Sequence, residues 1–414
     1  MFYFRERQGV KRLLIVQKYG GTSVGSIERI QAVALRIKKT VEDGNQVVVV
    51  VSAMGHSTDE LLALANQLTD SPDMRELDAL LSTGEQVSAA LVAMALQQHQ
   101  LASQSFTGWQ AGIRTEAVHG AARMTEIDAQ ALRTAVKRGI IPVITGFQGI
   151  AGEHVTTLGR GGSDTTAVAV AAALCADVCE IYTDVAGVYT TDPRVVATAR
   201  KLNAISYDEM LELATLGAQV LHPRAVENAK YFGVKLKVRS SFIEEEGTNV
   251  VEAPMGLEMR NVVTGVAFER DVARVALIGV PQKEHGLAVV FGELAERGVN
   301  VDVIVQSVVA QVDVDVSFTV KASDLPRAVQ ILSELKRTLQ FSRLVQETGL
   351  GKVSIVGAGM ISNPGVAAEM FRVLAKANIS IKMVSTSEIK VSCIVENADV
   401  NAAVEVLHQA FVDA

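Results

Sequence analysis

A chain of 414 residues is too long for one ordinary hydrophobic core, so two or three domains are expected. Hydrophobic residues make up 49% and charged residues 21%, with only 8 prolines, which excludes a largely disordered or fibrous chain and fits a globular α/β protein. The net charge of −7, with no lysine or arginine cluster beyond a few residues, argues against nucleic acid as a partner.

Residues 1–10, polar and aromatic, read as a disordered tail. From Leu13 to about Phe242, short β-branched runs alternate with helical patterns. The spacing predicts strands over 13–17, 47–52, 140–144, 178–182 and 235–239, and helices over 26–42, 58–69 and 75–99. Such alternation implies a mostly parallel sheet between helix layers. In the first helix Ile27, Ile30, Ala34, Ile37 and Val41 recur at helical spacing as one sheet-facing stripe, and Gly44 follows its end.

Two strand-to-helix turns in this region are rich in glycine. Lys18-Tyr19-Gly20-Gly21-Thr22-Ser23 follows the first strand, and Leu158-Gly159-Arg160-Gly161-Gly162-Ser163-Asp164-Thr165-Thr166 leads into an alanine-rich helix over 163–176. Glycines let backbone N–H groups approach a ligand closely, and a helix start adds unpaired N–H groups and a positive dipole end. With a lysine in one turn and an arginine in the other, the pair suggests a site for a polyphosphate and a second anion. The apolar run Ala167 to Ala176 is far shorter than the ~20 residues of a membrane span, and the N-terminus lacks a signal-peptide pattern, so no membrane partner is expected. Cys175, Cys179 and Cys393 form neither a disulfide framework nor a metal set and read as reduced thiols of a cytoplasmic protein.

An acidic, Gly/Pro-containing segment from Glu244 to Pro254 breaks the alternation. It divides a first domain over 1–246 from a linker over 247–262. A repeat follows. Val275-Ala276-Leu277-Ile278-Gly279 resembles Val353-Ser354-Ile355-Val356-Gly357, and each run precedes an amphipathic helix and a strand, Val299 to Ile304 in one copy and Ile379 to Val384 in the other. Asp324-Leu325 with Ala328-Val329 is matched by Asp399-Val400 with Ala403-Val404. Each copy, over 263–345 and 346–414, reads βαββαβ, the ferredoxin-like order. The strand-like Val262 to Phe268 lies outside the first copy and could complete the sheet of the second.

Several runs together, in order from about Leu13, closely resemble the aspartate kinases. They are Val16-Gln17-Lys18-Tyr19-Gly20-Gly21-Thr22-Ser23-Val24, Val51-Ser52-Ala53-Met54-Gly55, Ser82-Thr83-Gly84-Glu85, Leu158 to Thr166, Tyr182-Thr183-Asp184, Val188 to Arg194 and Leu221-His222-Pro223-Arg224. The resemblance implies an amino-acid-kinase fold for the first domain and two ACT domains in the tail. It also implies a reaction, transfer of the γ-phosphoryl of MgATP to the β-carboxylate of L-aspartate. A side-chain carboxylate with a reference pKa of about 3.9 is already ionised at neutral pH, so this chemistry needs cations, N–H donors and Mg²⁺ rather than a general base.

The resemblance assigns roles to particular residues. Lys18, beside Gly20 and Gly21, contacts the transferring phosphoryl group, and Asp164 orients Lys18 or the metal-bearing phosphates; a plain capping carboxylate is the alternative for Asp164. Arg160, with Gly161, Gly162 and Ser163 behind it, pairs with the substrate α-carboxylate, where a planar guanidinium outperforms an ammonium. Glu85 takes the α-ammonium, directly or through a neighbour, with a plain N-terminal charge on the Gln86–Gln98 helix as the alternative; Ser52 and Thr58 supply hydroxyls, with turn and cap roles as theirs. The nucleotide lies along Tyr19, Thr183, Asp184, Tyr189, Asp192 and Arg194, and Mg²⁺ comes with it, no metal site of the protein's own being expected. Gln219 stands where many relatives carry lysine. His222, in a His-Pro turn, reads as a structural hydrogen-bonding residue.

In the tail the resemblance marks Asn300 and Gln306 in the first copy, and Asn378 and Ile379 in the second, as effector contacts for lysine, threonine or both. ACT domains pair side by side, so a homo-oligomer is expected, and Met255 or Met259 would serve as the start of a separate ACT-only subunit. Gln282-Lys283-Glu284-His285-Gly286 departs from the usual turn of the first copy, while Asn363-Pro364-Gly365 stays closer to type. Two competing readings stand beside this one: another acceptor within the same kinase fold (glutamate, acetylglutamate, carbamate or UMP), and a silent amino-acid sensor. Gly357-Ala358-Gly359 does not make a dinucleotide fingerprint, because position 362 is Ser362 rather than the third glycine, and no P-loop motif occurs.

Overall fold

The computed structural model describes residues 12–217, 220–252, 262–281, 286–309 and 313–413. Gln219, the tail over 1–10, Met255, Met259 and residues 282–285 lie outside the described residues. The chain forms two compact units. Among the described residues the first holds those up to Val188, Lys201–Ala214 and 220–252; the second holds Tyr189–Arg200, 215–217 and those from Val262 onward.

The first unit is built on an eight-stranded sheet. Its strand order is Ala204–Ser206, Thr248–Val251, Leu236–Ser240, Val178–Thr183, Leu14–Tyr19, Gln46–Val51, Ile141–Thr145 and Ser103–Phe106. The last six of these run parallel, as the alternation predicts, and the first two run against them. Gln46–Val51 shows why: five consecutive valines, each at most 3% exposed, can be buried on both faces only at the centre of a parallel sheet. Thr248–Val251, expected inside a linker, is instead a strand of this sheet, paired antiparallel with Leu236–Val238.

The first helix is Ile27–Glu42, capped by the Ser26 hydroxyl on the Arg29 N–H. Its buried stripe is Ile30, Val33, Ala34 and Ile37; Ile27, expected in the stripe, is instead 51% exposed in the first turn. The helix expected over 75–99 is two helices, Met74–Leu81 and Thr83–Gln98. Ser82 turns its hydroxyl back to the Ala79 carbonyl at 2.8 Å and gives its own carbonyl to the Gln148 side chain at 2.8 Å, and this interrupts the ladder. On length and composition Met74–Gln98 could cross a membrane, but 56% of the apolar window is buried inside the fold. A second, four-stranded sheet of Met124–Ile127, Ile113–Thr115, Gln148–Ala151 and His154–Thr157 goes beyond the elements that the sequence pattern predicts.

The second unit is one antiparallel sheet of six strands, in the order Ile304–Val309, Asp313–Lys321, Gly265–Pro281, Arg343–Val356, Lys390–Glu396 and Met383–Thr386. The two long central strands serve both repeats. Val272–Pro281 pairs with Lys321–Asp313 in the first copy, while Gly265–Glu269 pairs with Val356–Lys352 in the second. The segment ahead of the first repeat thus supplies the last strand of the second, and Arg343–Glu347 closes the first against Ile278–Arg274. Two helices belong to each repeat, Gly286–Glu296 with Leu325–Glu334 and Val366–Lys376 with Val400–Phe411. The strands expected at Val299 and Ile379 begin later, at Ile304 and Met383. In the first copy Thr319 bonds both Asp302 and Val303, an irregularity that keeps the preceding residues out of regular pairing.

Candidate active site

Lys18 sits near the end of the central strand, opposite Val50 on one side and Ile181 on the other. Alternation along the strand sends neighbouring side chains to opposite faces. The Tyr19 ring is fully buried and stacks on Tyr182 with centroids 4.7 Å apart, so its side chain belongs to the core and cannot meet a nucleotide. Lys18 points the other way, where its ammonium meets Asp164 Oδ1 at 2.5 Å; each residue is 8% exposed. The contact between the two side chains fixes the ammonium in place. Glycine follows for a steric reason: a Cβ at Gly21 would lie 2.8 Å from the Ala53 carbonyl. The Gly55 N–H also bonds the Gly21 carbonyl at 3.0 Å, so the two loops are in backbone contact. The Gly20 N–H is already given to the Tyr182 carbonyl at 3.2 Å, which removes Gly20 as a phosphate donor.

The second glycine turn runs from the strand His154–Thr157 to the helix Gly162–Leu174, with Gly159 and Gly161 in left-handed conformations at φ +75° and +69°. Asp164 is in the first turn of that helix, and Ser163 and Gly162 are buried beside it, whereas Arg160 is exposed. A Cβ on Gly161 would come within 2.1 Å of the His222 ring, so the imidazole lies directly on the turn. The His222 carbonyl starts the helix Pro223–Phe232 by accepting the Ala225 N–H. Its Nδ1 is buried with no hydrogen-bond partner, contrary to the structural bond expected of the ring, and burial lowers its pKa, so the ring is neutral near pH 7.

Three residues to which the sequence assigns no role brace the approach to Arg160. Asp78, 1% exposed, accepts from the Gly120 N–H at 3.1 Å and from the Thr157 hydroxyl, and meets His119 Nδ1 at 2.6 Å. Arg224 donates to the Leu158 carbonyl at 2.7 Å and to the Ala122 carbonyl at 3.2 Å. Arg224 lies in one of the family-like motifs, which marks the position without giving it a task; Asp78 and His119 carry no signal, since a single acid in an amphipathic helix reads as solvated.

Glu85 occupies the first turn of Thr83–Gln98 and is 3% exposed. Its Oε1 accepts the Ala53 N–H at 3.1 Å, and its Oε2 is buried without a partner. Burial pushes its pKa up from an ordinary 4.5 to about 7, the Ala53 bond opposing the rise. A buried, half-satisfied carboxylate is suited to a cationic ligand group. Ser52 and Thr58 are half-buried on the same loop and the helix that follows it.

Thr183 and Asp184 end the strand Val178–Thr183, the threonine hydroxyl bonding Asp184 at 3.1 Å. Tyr189, Asp192 and Arg194 fall in the second unit. Arg194 there forks onto Asp192 with contacts of 2.8 to 3.2 Å, and this holds the Asp192 carboxyl below its ordinary pKa. Of the effector candidates, Asn300, Gln306 and Asn378 are exposed, but the Ile379 side chain is core of the second repeat and offers only its backbone.

Residues 13–240 match the amino acid kinase family, and residues 353–411 match the ACT domain. The chain is 57% identical over 399 residues to aspartokinase 2 of Bacillus subtilis (strain 168), covering 96% of this chain and 97% of that one. The chain belongs to the aspartokinases. It is also 48% identical over 403 residues to the aspartokinase of Mycolicibacterium smegmatis, across 96% of both chains. Among solved structures it superposes on E. coli aspartokinase III in complex with aspartate and ADP with a TM-score of 0.81, at 27% identity over 96% of this chain and 99% of that one. For an aspartokinase the site's logic is electrostatic. Two anions must meet in it, so cations and close backbone N–H groups are what that chemistry requires.

Proposed function

We propose how this aspartokinase divides the work of moving the γ-phosphoryl of MgATP to the β-carboxylate of L-aspartate. A carboxylate oxygen forms a bond to Pγ as the bond from Pγ to the β-phosphate oxygen breaks, giving 4-phospho-L-aspartate and ADP with no proton transfer. Lys18 neutralises the transferring group, and Asp164 holds Lys18 in line. Arg160 takes the substrate α-carboxylate and Glu85 its α-ammonium, with Ser52 and Thr58 as hydroxyl donors and Gly161, Gly162 and Ser163 supplying close backbone. Thr183, Asp184, Tyr189, Asp192 and Arg194 contact the nucleotide, which carries Mg²⁺ with it. The product starts the route to lysine, threonine and methionine.

The observation that carries this reading is the buried Lys18–Asp164 pair at 2.5 Å, on two glycine turns in which a Cβ at Gly21 or Gly161 would lie 2.8 or 2.1 Å from a neighbouring atom. A second copy is expected to pair through the ACT repeats, with lysine, threonine or both bound by Asn300, Gln306, Asn378 and the backbone of Ile379. E. coli aspartokinase III in complex with lysine and aspartate superposes on the chain with a TM-score of 0.75, at 28% identity over 96% of this chain and 99% of that one, and its lysine supports an amino-acid effector here. The free cysteines fit a cytoplasmic enzyme.

Trapping the acyl phosphate as a hydroxamate, with saturating MgATP and with aspartate, glutamate, acetylglutamate, carbamate or UMP in turn, tests the acceptor. Aspartate alone should give product, and added lysine and threonine should depress it. Product from another acceptor only would overturn the assignment, and its absence with every acceptor would favour a silent sensor.

A further inference from the structure

The segment Tyr189–Arg200, which on the reading above carries nucleotide contacts, is anchored in the second unit by its own set of bonds. Val196 is buried in the same apolar cluster as Val353, Ile355, Val404 and Leu407 of the second ACT repeat. The Thr190 carbonyl accepts the Val266 N–H at 2.7 Å, and a Cβ on Gly265 would press to 2.8 Å from that carbonyl. At the far end Thr198 donates to Asp413 at 2.9 Å, and Arg200 bonds the Val412 carbonyl.

Between these anchors lies a polar relay whose centre, Thr190 and His408, is buried. The Thr190 hydroxyl accepts the Arg200 N–H at 3.0 Å and stands 2.8 Å from His408 Nε2; His408 Nδ1 stands 3.1 Å from Asp413 Oδ2. A carboxylate only accepts, so Nδ1 donates to Asp413, and in that tautomer Nε2 is the acceptor for the Thr190 hydroxyl. His408 is 0% exposed on the helix Val400–Phe411, where its neighbours Val404 and Leu407 are apolar. An aliphatic side chain would fill such a position without needing partners, so a histidine there is notable for the direction of its bonds.

We infer that His408 is a positioning residue for the nucleotide loop: through Thr190 it holds Tyr189–Arg200 in the conformation that presents Tyr189, Asp192 and Arg194. It touches neither substrate. This rests on the proposed nucleotide role of that loop, and the experiment separates the two. Steady-state kinetics are measured with the full-length enzyme for His408→Leu, which keeps the bulk and loses both bonds, and for His408→Gln, whose side-chain oxygen can still accept from Thr190. Tyr189→Ala and Arg194→Ala run alongside, and thermal unfolding of each variant separates lost positioning from lost fold.

His408→Leu should raise the KM for ATP about ten-fold, the worth of one buried hydrogen bond, with kcat and the aspartate KM held within about two-fold. His408→Gln should recover most of that loss. If Tyr189→Ala and Arg194→Ala raise the ATP KM while His408→Leu does not, the positioning role is wrong and the nucleotide loop stands. If none of the variants alters the ATP KM, the loop's nucleotide role fails and the inference with it. A uniform fall in all kinetic constants in step with melting temperature, unrelieved by His408→Gln, would reduce His408 to a packing residue.

Discussion

Glu85 takes the Ala53 N–H on one carboxylate oxygen at 3.1 Å and keeps the other oxygen buried and unpaired. The bond ties the loop after the Gln46–Val51 strand to the start of the Thr83–Gln98 helix, and the unpaired oxygen is a site waiting for a donor. Because burial holds the carboxyl near 7, its charge at physiological pH is set by what binds beside it.

The first prediction is a pH dependence of aspartate use. The free enzyme is protonated at Glu85 below about 7, and a substrate ammonium favours the ionised form, so binding releases a proton. kcat/KM for aspartate should rise with pH through about 7, and Glu85→Gln should flatten that limb while lowering the plateau. Stability moves oppositely. A raised folded-state pKa means the fold carries no penalty below about 4.5 and loses stability as pH rises toward about 7. Glu85→Gln should therefore be more stable than the parent at pH 8, by up to roughly 3 kcal/mol, and similar to it at pH 4.5, as read by denaturant titration.

A second prediction separates charge pairing from catalysis at Lys18. Lys18→Ala strands a buried Asp164 carboxylate and should destabilise the fold by about 3–5 kcal/mol while lowering kcat/KM at least a thousandfold. The double variant Lys18→Met with Asp164→Leu removes both charges and should regain most of the stability but none of the activity. Recovery of activity in the double variant would mean that Lys18 serves only to balance Asp164.

The sequence made the central sheet legible because runs such as the valines of Gln46–Val51 can be satisfied only by burial on two faces. Lys18, Asp164 and Glu85 were legible because short motifs placed each at a strand end or helix start, and that is where the structure puts them. The small sheet leaves no periodic signal because its strands are three or four residues long and bury polar side chains such as Thr115, Gln148 and Thr157. Ser82 broke a helix whose periodicity ran straight through it, since the cause, a carbonyl taken by Gln148, lies 66 residues away. The Thr190–His408 bond spans 218 residues, and no local pattern could announce it.

Gly161 offers a third, purely steric prediction. It is left-handed at φ +69°, and the His222 ring occupies the space a methyl group would need. Gly161→Ala should cost roughly 2–4 kcal/mol in unfolding free energy, backbone strain and overpacking both contributing. Pairing it with His222→Ala relieves the clash but not the strain, so about half of the loss should return. A full return would assign the whole effect to packing.

The last prediction concerns Arg160, which is exposed and yet follows a segment held by side-chain bonds. Asp78 and Arg224 grip Thr157, Leu158 and the facing loop, so the guanidinium extends from a fixed point. An exposed side chain contributes little to folding, so Arg160→Ala should leave the melting temperature unchanged. The aspartate KM should rise about ten- to a hundredfold, the worth of a charge-assisted contact, with the ATP KM unaffected. Arg160→Lys keeps the charge but loses the planar fork, and should recover only part of the affinity. Full recovery with lysine would show that Arg160 acts as a point charge; an unchanged aspartate KM in Arg160→Ala would remove it from the substrate site.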